Sequence, residues 1–551
     1  QYIRFSTNGV VDFDKKLSRT LKYAASVNYG IQNGYQQNYY DADVTAESYA
    51  MTNGTNRVDY LPSSYLSQMW VDGKPLTVSA KISNQFYFLT SGLNHSILTG
   101  LDWSMDANYG NGKTFTRPPR NTNGSAYRTR SFDQIPSMNQ FGVYLQDHIS
   151  TTIGENKLNL MAGLRYDAVQ PFNSSFNLQA LSPRINASYK MTNGLTIRGG
   201  YGITSKAPTL LYLYPENAYF DFYSLNYYTQ NVDERMALIT THVYNTENHN
   251  IKLSKTNKTE IGFDFEWGQA KKQRLSVTAF HEKTKNGYSM STTLNSVQFA
   301  TTPIYTVAQQ PTGQEPILSD QVTYNTRFVS YLTPTNNINR TNKGVEFELD
   351  LGKFRPINTT FNISGAYINA KTESNNPYIL QQDVAGRTTT RIGVFKPGRG
   401  TLDERFSTTI RAIHHIPELR FIVTLSAQTI WMDQNKYIGY ESQPIGYIPI
   451  QESGTPTVMY FSESERQAIT NVSDPDLYLS INDGIFKTEK WKPLWLFNLK
   501  LTKEFKSGLN FSFFANNFIN NRPLQSGTRY PTQYEKRNVA FFFGSEISIK
   551  L

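Results

Sequence analysis

The sequence predicts an all-β protein, an antiparallel transmembrane β-barrel with short turns on one rim and long loops on the other. Polar and apolar side chains alternate strictly over short segments, and short and long connections alternate between those segments. The composition is also unusual, with 14% aromatic and only 38% hydrophobic residues. Because only the outward residues of a barrel must be apolar, such a protein can be polar on average. The mean hydropathy of −0.49 fits that expectation.

The alternation identifies strands because successive side chains of a strand point to opposite faces. In segment 344–351, Val345, Phe347 and Leu349 occupy one face, whereas Glu346 and Glu348 occupy the other. Carboxylates do not point into a sandwich core, but they can line a wet lumen. The same pattern is found at 157–167, 195–203, 259–267, 500–505 and 509–515. No run approaches 18 apolar residues, which excludes a transmembrane helix.

The connections predict the two rims. Asn193-Gly194, Ser507-Gly508, Gly154 to Asn156 and Ser91 to Asn94 are typical of tight hairpin turns. Between these hairpins lie long polar segments at 36–72, 109–136, 204–254, 285–337, 373–401 and 432–490. Outer-membrane barrels have short periplasmic turns and long extracellular loops. The connection that begins near Lys206 is therefore expected on the extracellular side.

Composition and motifs argue against several other functions. The absence of cysteine removes disulfides and thiolate chemistry, and the net charge of +10 is scattered rather than clustered, so we expect no nucleic-acid binding. His414 and His415 are adjacent and should point to opposite faces. The segment 110–114 mimics a phosphate-binding loop but lacks its first glycine. We expect no enzyme, no cofactor and no metal site. Asp474, Asp476, Asn482 and Asp483 are interpreted as solvated loop residues.

Several stretches, in this order, resemble the barrel of a TonB-dependent outer-membrane receptor. These are FGVYLQD at 141–147, LMAGLRYD at 160–167, LSPRINASY at 181–189, LTIRGGYGI at 195–203, KAP at 206–208, NKGVEFE at 342–348 and FSFFANNF at 511–518. IHHIP at 413–417 and QTIW at 428–431 resemble the Bacteroidetes branch. The resemblance implies 22 strands in the bacterial outer membrane and uptake of a siderophore, glycan, peptide or similar ligand.

The resemblance also implies domains and partners. Residues 1–551 correspond to the barrel domain, and the family's N-terminal plug domain is not visible in them. The family couples transport to the TonB complex through that plug, so no energy-coupling residue can be assigned here. Outer-membrane lipid and a surface lipoprotein are further expected partners. The alternatives are a structural or assembly barrel subunit that transports nothing and a passive porin.

The segment after Pro208 is the candidate ligand-binding site. It is crowded with aromatic residues, of which we select Tyr212, Tyr214, Tyr219, Phe220, Tyr223, Tyr227 and Tyr228. Aromatic rings with polar tips suit stacking on sugars, chelate rings or peptides. The alternatives are an aromatic girdle at the membrane interface and a loop that packs on itself.

Overall fold

The computed structural model describes residues 1–15, 18–41, 45–117, 127–170, 175–176, 178–268, 273–383, 389–451 and 454–549. Its strands are numbered β1–β34 in chain order. The main sheet contains β1 (Tyr2–Lys15), β2 (Ser18–Gly30), β6 (Pro75–Thr90), β7 (Leu93–Asn108), β9 (Met138–Ile153), β10 (Asn156–Val169), β11 (Leu178–Lys190), β12 (Leu195–Lys206), β15 (Ser254–Trp267), β16 (Gln273–Ser291), β21 (Thr333–Phe354), β22 (Thr359–Ser374), β25 (Gly400–Ile416), β26 (Phe421–Ile438), β29 (Glu489–Lys490), β30 (Leu494–Glu504), β31 (Leu509–Asn516) and β34 (Phe542–Ile549).

This main sheet is an antiparallel meander, which confirms the predicted fold class. Apart from the two-residue β29, each strand pairs with the next strand of the sheet along the chain. The predicted count of 22 is not confirmed, because the described residues contribute eighteen strands. Among those residues, the first and last strands each have a ladder on one side only, β1 with β2 and β34 with β31.

The connections lie on two opposite rims. The turn rim carries the short connections, whose described members are 91–92, 154–155, 191–194, 355–358, 417–420 and 505–508. Ser91 and Gly92 both have positive φ, 49° and 81°, as a tight two-residue hairpin turn requires. The loop rim carries the other connections, including 207–253 after Lys206. Asn193-Gly194 thus lies on the turn rim and the connection after Lys206 lies on the loop rim, as the sequence predicts.

The long connections contain most of the remaining regular structure. Their strands are β3 (Gln32–Asp41), β4 (Gly54–Val58), β5 (Ser64–Gly73), β8 (Gly112–Phe115), β13 (Ala218–Tyr227), β14 (Met236–Tyr244), β17 (Val297–Ile304), β18 (Val307–Gln309), β19 (Ile317–Leu318), β20 (Thr323–Ser330), β23 (Tyr378–Leu380), β24 (Arg391–Phe395), β27 (Gly446–Pro449), β28 (Met459–Tyr460), β32 (Leu524–Gln525) and β33 (Glu535–Lys536). The helices are α1 (Leu210–Leu213) and α2 (Glu463–Ala468), and the 3₁₀ turns are Val232–Glu234, Leu294–Ser296, Arg355–Ile357 and Asp483–Phe486. Within the described ranges, no helix has both the length and the apolar character needed to cross a membrane.

The two faces of the main sheet differ in chemistry. Phe347 pairs with Val277, which pairs with Phe263, and this row is apolar. On the opposite face, Glu348 accepts a hydrogen bond from the Asn362 amide at 3.1 Å. Charged and polar side chains thus share one face and apolar side chains the other. The alternation predicted at 344–351 is confirmed, and the polar face is the one that lines the barrel.

Aromatic contacts mark both ends of the apolar face. Towards the loop rim, the ring centroids of Trp431 and Trp495 are 5.1 Å apart, and Phe497 stacks on Trp495 at 6.0 Å. Towards the turn rim, Phe265 and Trp267 stack at 5.5 Å. Such rings are typical of the two interfaces of an outer-membrane barrel.

The loop rim is a folded layer rather than a set of free loops. Four clusters of buried apolar side chains lie there, including one around Leu213 and one around Ile392. The strands also reach further into this layer than the sequence predicts, since β16 and β21 occupy both ends of the segment 285–337 that was expected to be a loop. A strand that projects beyond the lipid has no apolar face to show, so its alternation disappears.

Candidate functional site

The aromatic segment after Pro208 folds into a hairpin of the loop layer. Strands β13 and β14 pair antiparallel, and β14 also pairs with β4 from the connection between β2 and β6. Three long connections therefore meet there, because 292–332 packs against it through Ala300 and Val329. The predicted site residues lie on the loop rim, but most of them are packed against other loops.

Tyr219 and Phe220 are buried, with 4% and 5% of their surface exposed. Tyr212 and Tyr214 are half-buried and pack on the cluster around Leu213. The Tyr223 hydroxyl donates to the Ala46 carbonyl at 3.1 Å and accepts from the Ala46 amide at 2.7 Å. These contacts give the rings a role in holding the loops together. Their role in binding a ligand remains a prediction.

Tyr228 is the member of this set with an open surface, since 43% of it is exposed. The Arg235 guanidinium lies 4.2 Å from the centre of its ring, and Tyr60 contacts the ring edge-on at 5.3 Å. The Tyr60 hydroxyl donates to Asn226 Oδ1 at 2.7 Å. Burial, as the largest cause, raises the pKa of Tyr60 to about 12, so this phenol is neutral at physiological pH and can donate. Tyr228 thus presents an exposed ring beside the half-buried Tyr60 and Arg235, and the three residues form an aromatic and cationic surface.

A buried ion pair holds the base of this hairpin. Arg128, which is 2% exposed, donates through Nη2 to both carboxylate oxygens of Asp221 at 2.9 and 3.0 Å. The same guanidinium lies 4.8 Å from the centre of the Tyr219 ring. Its Nε donates to the Ala50 carbonyl at 2.9 Å, and Asp221 accepts from the Thr241 hydroxyl at 2.7 Å. One arginine therefore links three connections. Burial raises the pKa of Tyr219, which stays neutral beside this pair.

The phosphate-loop-like segment 110–114 and the acidic residues Asp474 and Asp476 form ion pairs with other parts of the loop layer. Lys113 of the 110–114 segment lies on β8, where its Nζ donates to Glu216 at 2.9 Å, and the residues described between β8 and β9 contain no helix. Asp474 and Asp476 both accept from Arg391, at 2.9 and 2.8 Å between carboxylate oxygens and Nη2. Among the described residues, no cluster of histidine and acidic side chains could hold a metal ion.

A second part of the loop layer is not predicted from the sequence. Connections 375–399 and 439–493 build a four-stranded sheet of β23, β24, β27 and β28 around Ile392 and Ile448, both fully buried. Arg399 lies at its base against several rings. Arg391 lies against Tyr447 and Arg399 against Tyr440, and these pairs join the two connections across 56 and 41 residues, by subtraction of their numbers, so a local pattern cannot reveal them.

The polar face below the loops is charged. Arg165 donates to Asp102 through both Nη atoms at 2.7 and 2.8 Å and to Asp167 through Nε at 2.7 Å. Arg198 and Arg274 share Asp264, at 3.0 and 2.7 Å. These networks make the lumen wall hydrophilic, so the space it borders suits water, polar ligands or a polar protein surface.

The comparisons with known proteins agree with this architecture. Residues 2–518 match the family described as TonB dependent receptor-like, beta-barrel, and the chain belongs to that family. Members are outer-membrane transport receptors that interact with TonB and with ligands. No curated protein matches the chain.

Solved structures resemble it in fold. The siderophore receptor PirA from Acinetobacter baumannii has a TM-score of 0.50 and 13% identity, with 99% of this chain and 62% of that chain covered. A mutant of the ferric enterobactin receptor PfeA from Pseudomonas aeruginosa, in complex with enterobactin, has a TM-score of 0.51 and 13% identity, covering 99% of this chain and 70% of that one. The chain therefore spans less than two thirds of the length of PirA. At these identities the likeness is one of fold.

Proposed function

We propose that this protein captures a ligand at the loop rim and imports it across the outer membrane with energy supplied through the TonB system. The observation that carries the proposal is the asymmetry of the barrel. One rim has tight turns, and the other carries a folded loop layer above a charged lumen wall. A porin needs a path but no such layer.

A ferric siderophore is the ligand class that we place first. Two structural neighbours are a siderophore receptor and a ferric enterobactin receptor, although the likeness is in fold alone. The surface formed by Tyr228, Tyr60 and Arg235 offers rings and a positive charge, which suit the flat catecholate rings and the negative charge of a ferric chelate. The rings and the guanidinium of this surface suit binding, and we propose no enzymatic activity for it.

Whole-cell uptake tests this function. Cells that make the full-length protein but no other siderophore receptor are supplied with ⁵⁵Fe as ferric enterobactin or as ferric citrate. We expect accumulation of at least one chelate and its collapse when a protonophore removes the proton-motive force. Accumulation that survives the protonophore indicates a porin. No accumulation of either chelate, above cells with an empty vector, refutes the siderophore assignment.

A matched pair of variants localises the binding surface. Tyr228→Ala removes the exposed ring under Arg235, whereas Tyr324→Ala removes a ring that is 70% exposed on β20. Stacking by one well-placed ring contributes about 0.5–1.5 kcal/mol, so Tyr228→Ala should weaken uptake by several fold. Tyr324→Ala should not. Equal effects would remove Tyr228 from the site.

The finer features of the assembly belong to the same proposal. Strands of a meander alternate in direction, so β1 and β34, first and last of seventeen long strands, run the same way. Direct pairing between them would be parallel. A barrel of 22 strands would have five more strands than these seventeen. With an even total, the first and last strands run in opposite directions, so every pair in the barrel can be antiparallel. We also propose that residues 1–551 belong to the barrel domain, that a plug provides the TonB contact, and that the protein belongs to the Bacteroidetes branch, where a surface lipoprotein would be a further partner.

A further inference from the structure

Arg399 lies where the barrel wall enters the loop layer. The Ser374 amide donates to the Arg399 carbonyl at 2.9 Å, which extends the ladder of β22 and β25 by one step beyond Gly400. Arg399 therefore has the same parity as Thr401 and Asp403. Asp403 pairs with Ala370, and both residues border the same cavity as Glu346, so Asp403 lies on the polar face. The side chain of Arg399 is placed at the mouth of the lumen.

Three aromatic rings enclose its guanidinium. The central carbon Cζ lies 3.8 Å from the centre of the Tyr378 ring, 5.0 Å from that of Tyr440 and 5.2 Å from that of Phe395. These residues come from both connections of the four-stranded loop sheet. We call this group the Arg399 box. The rings cover the flat faces of the cation and leave its edges for hydrogen bonds.

One edge of the cation has no acceptor. Nε and Nη2 of Arg399 are buried and have no hydrogen-bond partner in the part of the chain that the structure describes. These two atoms form the side-on edge of a guanidinium, whose parallel N–H bonds match the two oxygens of a carboxylate. Buried donors without an acceptor are rare in native proteins and require an explanation, such as a bound group.

Arg391, on the neighbouring β24, shows the same edge filled. Its Nε donates to Asp476 Oδ2 at 3.0 Å and its Nη2 donates to Asp476 Oδ1 at 2.8 Å. Burial lowers the pKa of Arg391, but the hydrogen bonds to Asp476 and Asp474 outweigh it and the pKa is raised. For Arg399, burial lowers the pKa and the tyrosines oppose it only in part. Within the described residues, Arg391 therefore has carboxylate partners, whereas Arg399 Nε and Nη2 have none.

We propose that the Arg399 box is a binding site for a ligand carboxylate, held side-on by Nε and Nη2 between the rings of Tyr378 and Tyr440. The site deepens the proposed uptake function, on which it rests, by naming a carboxylate-bearing molecule as the ligand. Tyr378 is 40% exposed and forms the outer wall. Because Nε and Nη2 are buried, entry of a carboxylate requires the Tyr378 side chain to rotate away from them.

Binding of citrate and of ferric citrate to the full-length protein in detergent micelles, measured by isothermal titration calorimetry, tests the site. Arg399→Gln and Arg399→Lys should each weaken binding at least tenfold, because lysine keeps the charge but has no two-donor edge. On ¹⁵N-arginine protein, citrate should also shift the Nε–H resonance that Arg399→Lys removes. The shift itself is measured on the wild-type protein, and Arg399→Lys serves only to assign the resonance.

Arg529→Gln is the matched control. Its guanidinium also stacks on a ring at the lumen mouth, 4.5 Å from the centre of Tyr437, but its Nε and Nη2 already donate to the Lys487 carbonyl at 3.3 and 3.1 Å. Arg529→Gln should bind citrate within about twofold of the wild type, because Nε and Nη2 of Arg529 already have an acceptor and are not available to a ligand. Equal binding by the wild type and both Arg399 variants, or no binding of either probe, overturns the proposal. Preference for inorganic phosphate over citrate overturns the carboxylate class.

Micelle binding separates this inference from the proposed function. Citrate binding that depends on Arg399, without uptake in cells, would refute energised transport and leave the carboxylate site standing. Energised uptake of a chelate, without any citrate binding, would refute the site and leave transport standing.

Discussion

Phe347→Arg tests the assignment of the lipid face most severely. Phe347 is seven residues from the end of β21 at Phe354, by subtraction of their numbers. At a rise of about 3.3 Å per residue and a strand tilt of about 40°, its Cα lies about 18 Å above the turn rim. The apolar band of such barrels is about 25 Å tall, so this position is within the band.

An arginine costs about 2–4 kcal/mol at the midplane and less towards the interfaces, so at about 6 Å from the middle of the band the expected loss of unfolding free energy is about 2 kcal/mol. The ring also covers Gly365, where an added Cβ would lie 2.6 Å from it, so the arginine must also replace that packing. Urea unfolding in lipid vesicles, followed by tryptophan fluorescence, measures the loss.

Two variants serve as controls. Phe347→Leu keeps an apolar side chain and should cost less than about 1.5 kcal/mol. Ser364→Arg places the same charge on the polar face, where Ser364 pairs with Glu348, and should change stability by less than about 1 kcal/mol, as expected for a lumen position. If Phe347→Arg is as stable as the wild type, or Ser364→Arg is the costlier change, the faces are inverted.

Three further predictions concern the loop layer, with hydrogen exchange as the readout. Asp221→Asn leaves the buried charge of Arg128 uncompensated and should lower the free energy that protects β13 from exchange by about 3–5 kcal/mol. Unchanged protection would show that the ion pair does not stabilise this hairpin. Burial lowers the pKa of His242 below its usual value of about 6.5, so the folded protein favours the neutral imidazole. The stability that this gives is complete above about pH 6.5 and is lost as the pH falls further, because the unfolded chain binds the proton more readily. Protection of β14 should fall as the pH drops below about 6.5, and His242→Asn should abolish that dependence. Tyr219→Ala should reduce the protection of β13, because Tyr219 is buried, whereas Tyr228→Ala should not, because Tyr228 is exposed. The reverse order would contradict this reasoning.

The sequence predicts the barrel wall well because the wall obeys a local rule. Alternation at 344–351 and the turn at Asn193-Gly194 are visible within a few residues, and parity then assigns every connection to a rim. The rule ends where strands leave the lipid. Both faces of β21 are polar near Thr333, so the pattern there resembles a loop.

The loop layer could be predicted only as an aromatic-rich region. The crowded rings after Pro208 were found by composition, but the sequence could not say which would be buried. Tyr219 is covered by Arg128 and Tyr223 is anchored on Ala46, and both partners belong to other connections. Arg399 was missed for the same reason, since its box combines residues from two connections.

Labelling of single cysteines tests the central claim, a barrel with its loop layer outside the cell, most directly. The chain has no cysteine, so each introduced thiol is unique. Val472→Cys lies in the loop layer at a residue that is 88% exposed, and Glu155→Cys lies at an exposed turn between β9 and β10. On intact cells, a membrane-impermeant maleimide should label Val472→Cys but reach Glu155→Cys only after the outer membrane is permeabilised. Labelling of Glu155→Cys alone on intact cells would show the opposite orientation, and labelling of both without permeabilisation would contradict a membrane-spanning barrel.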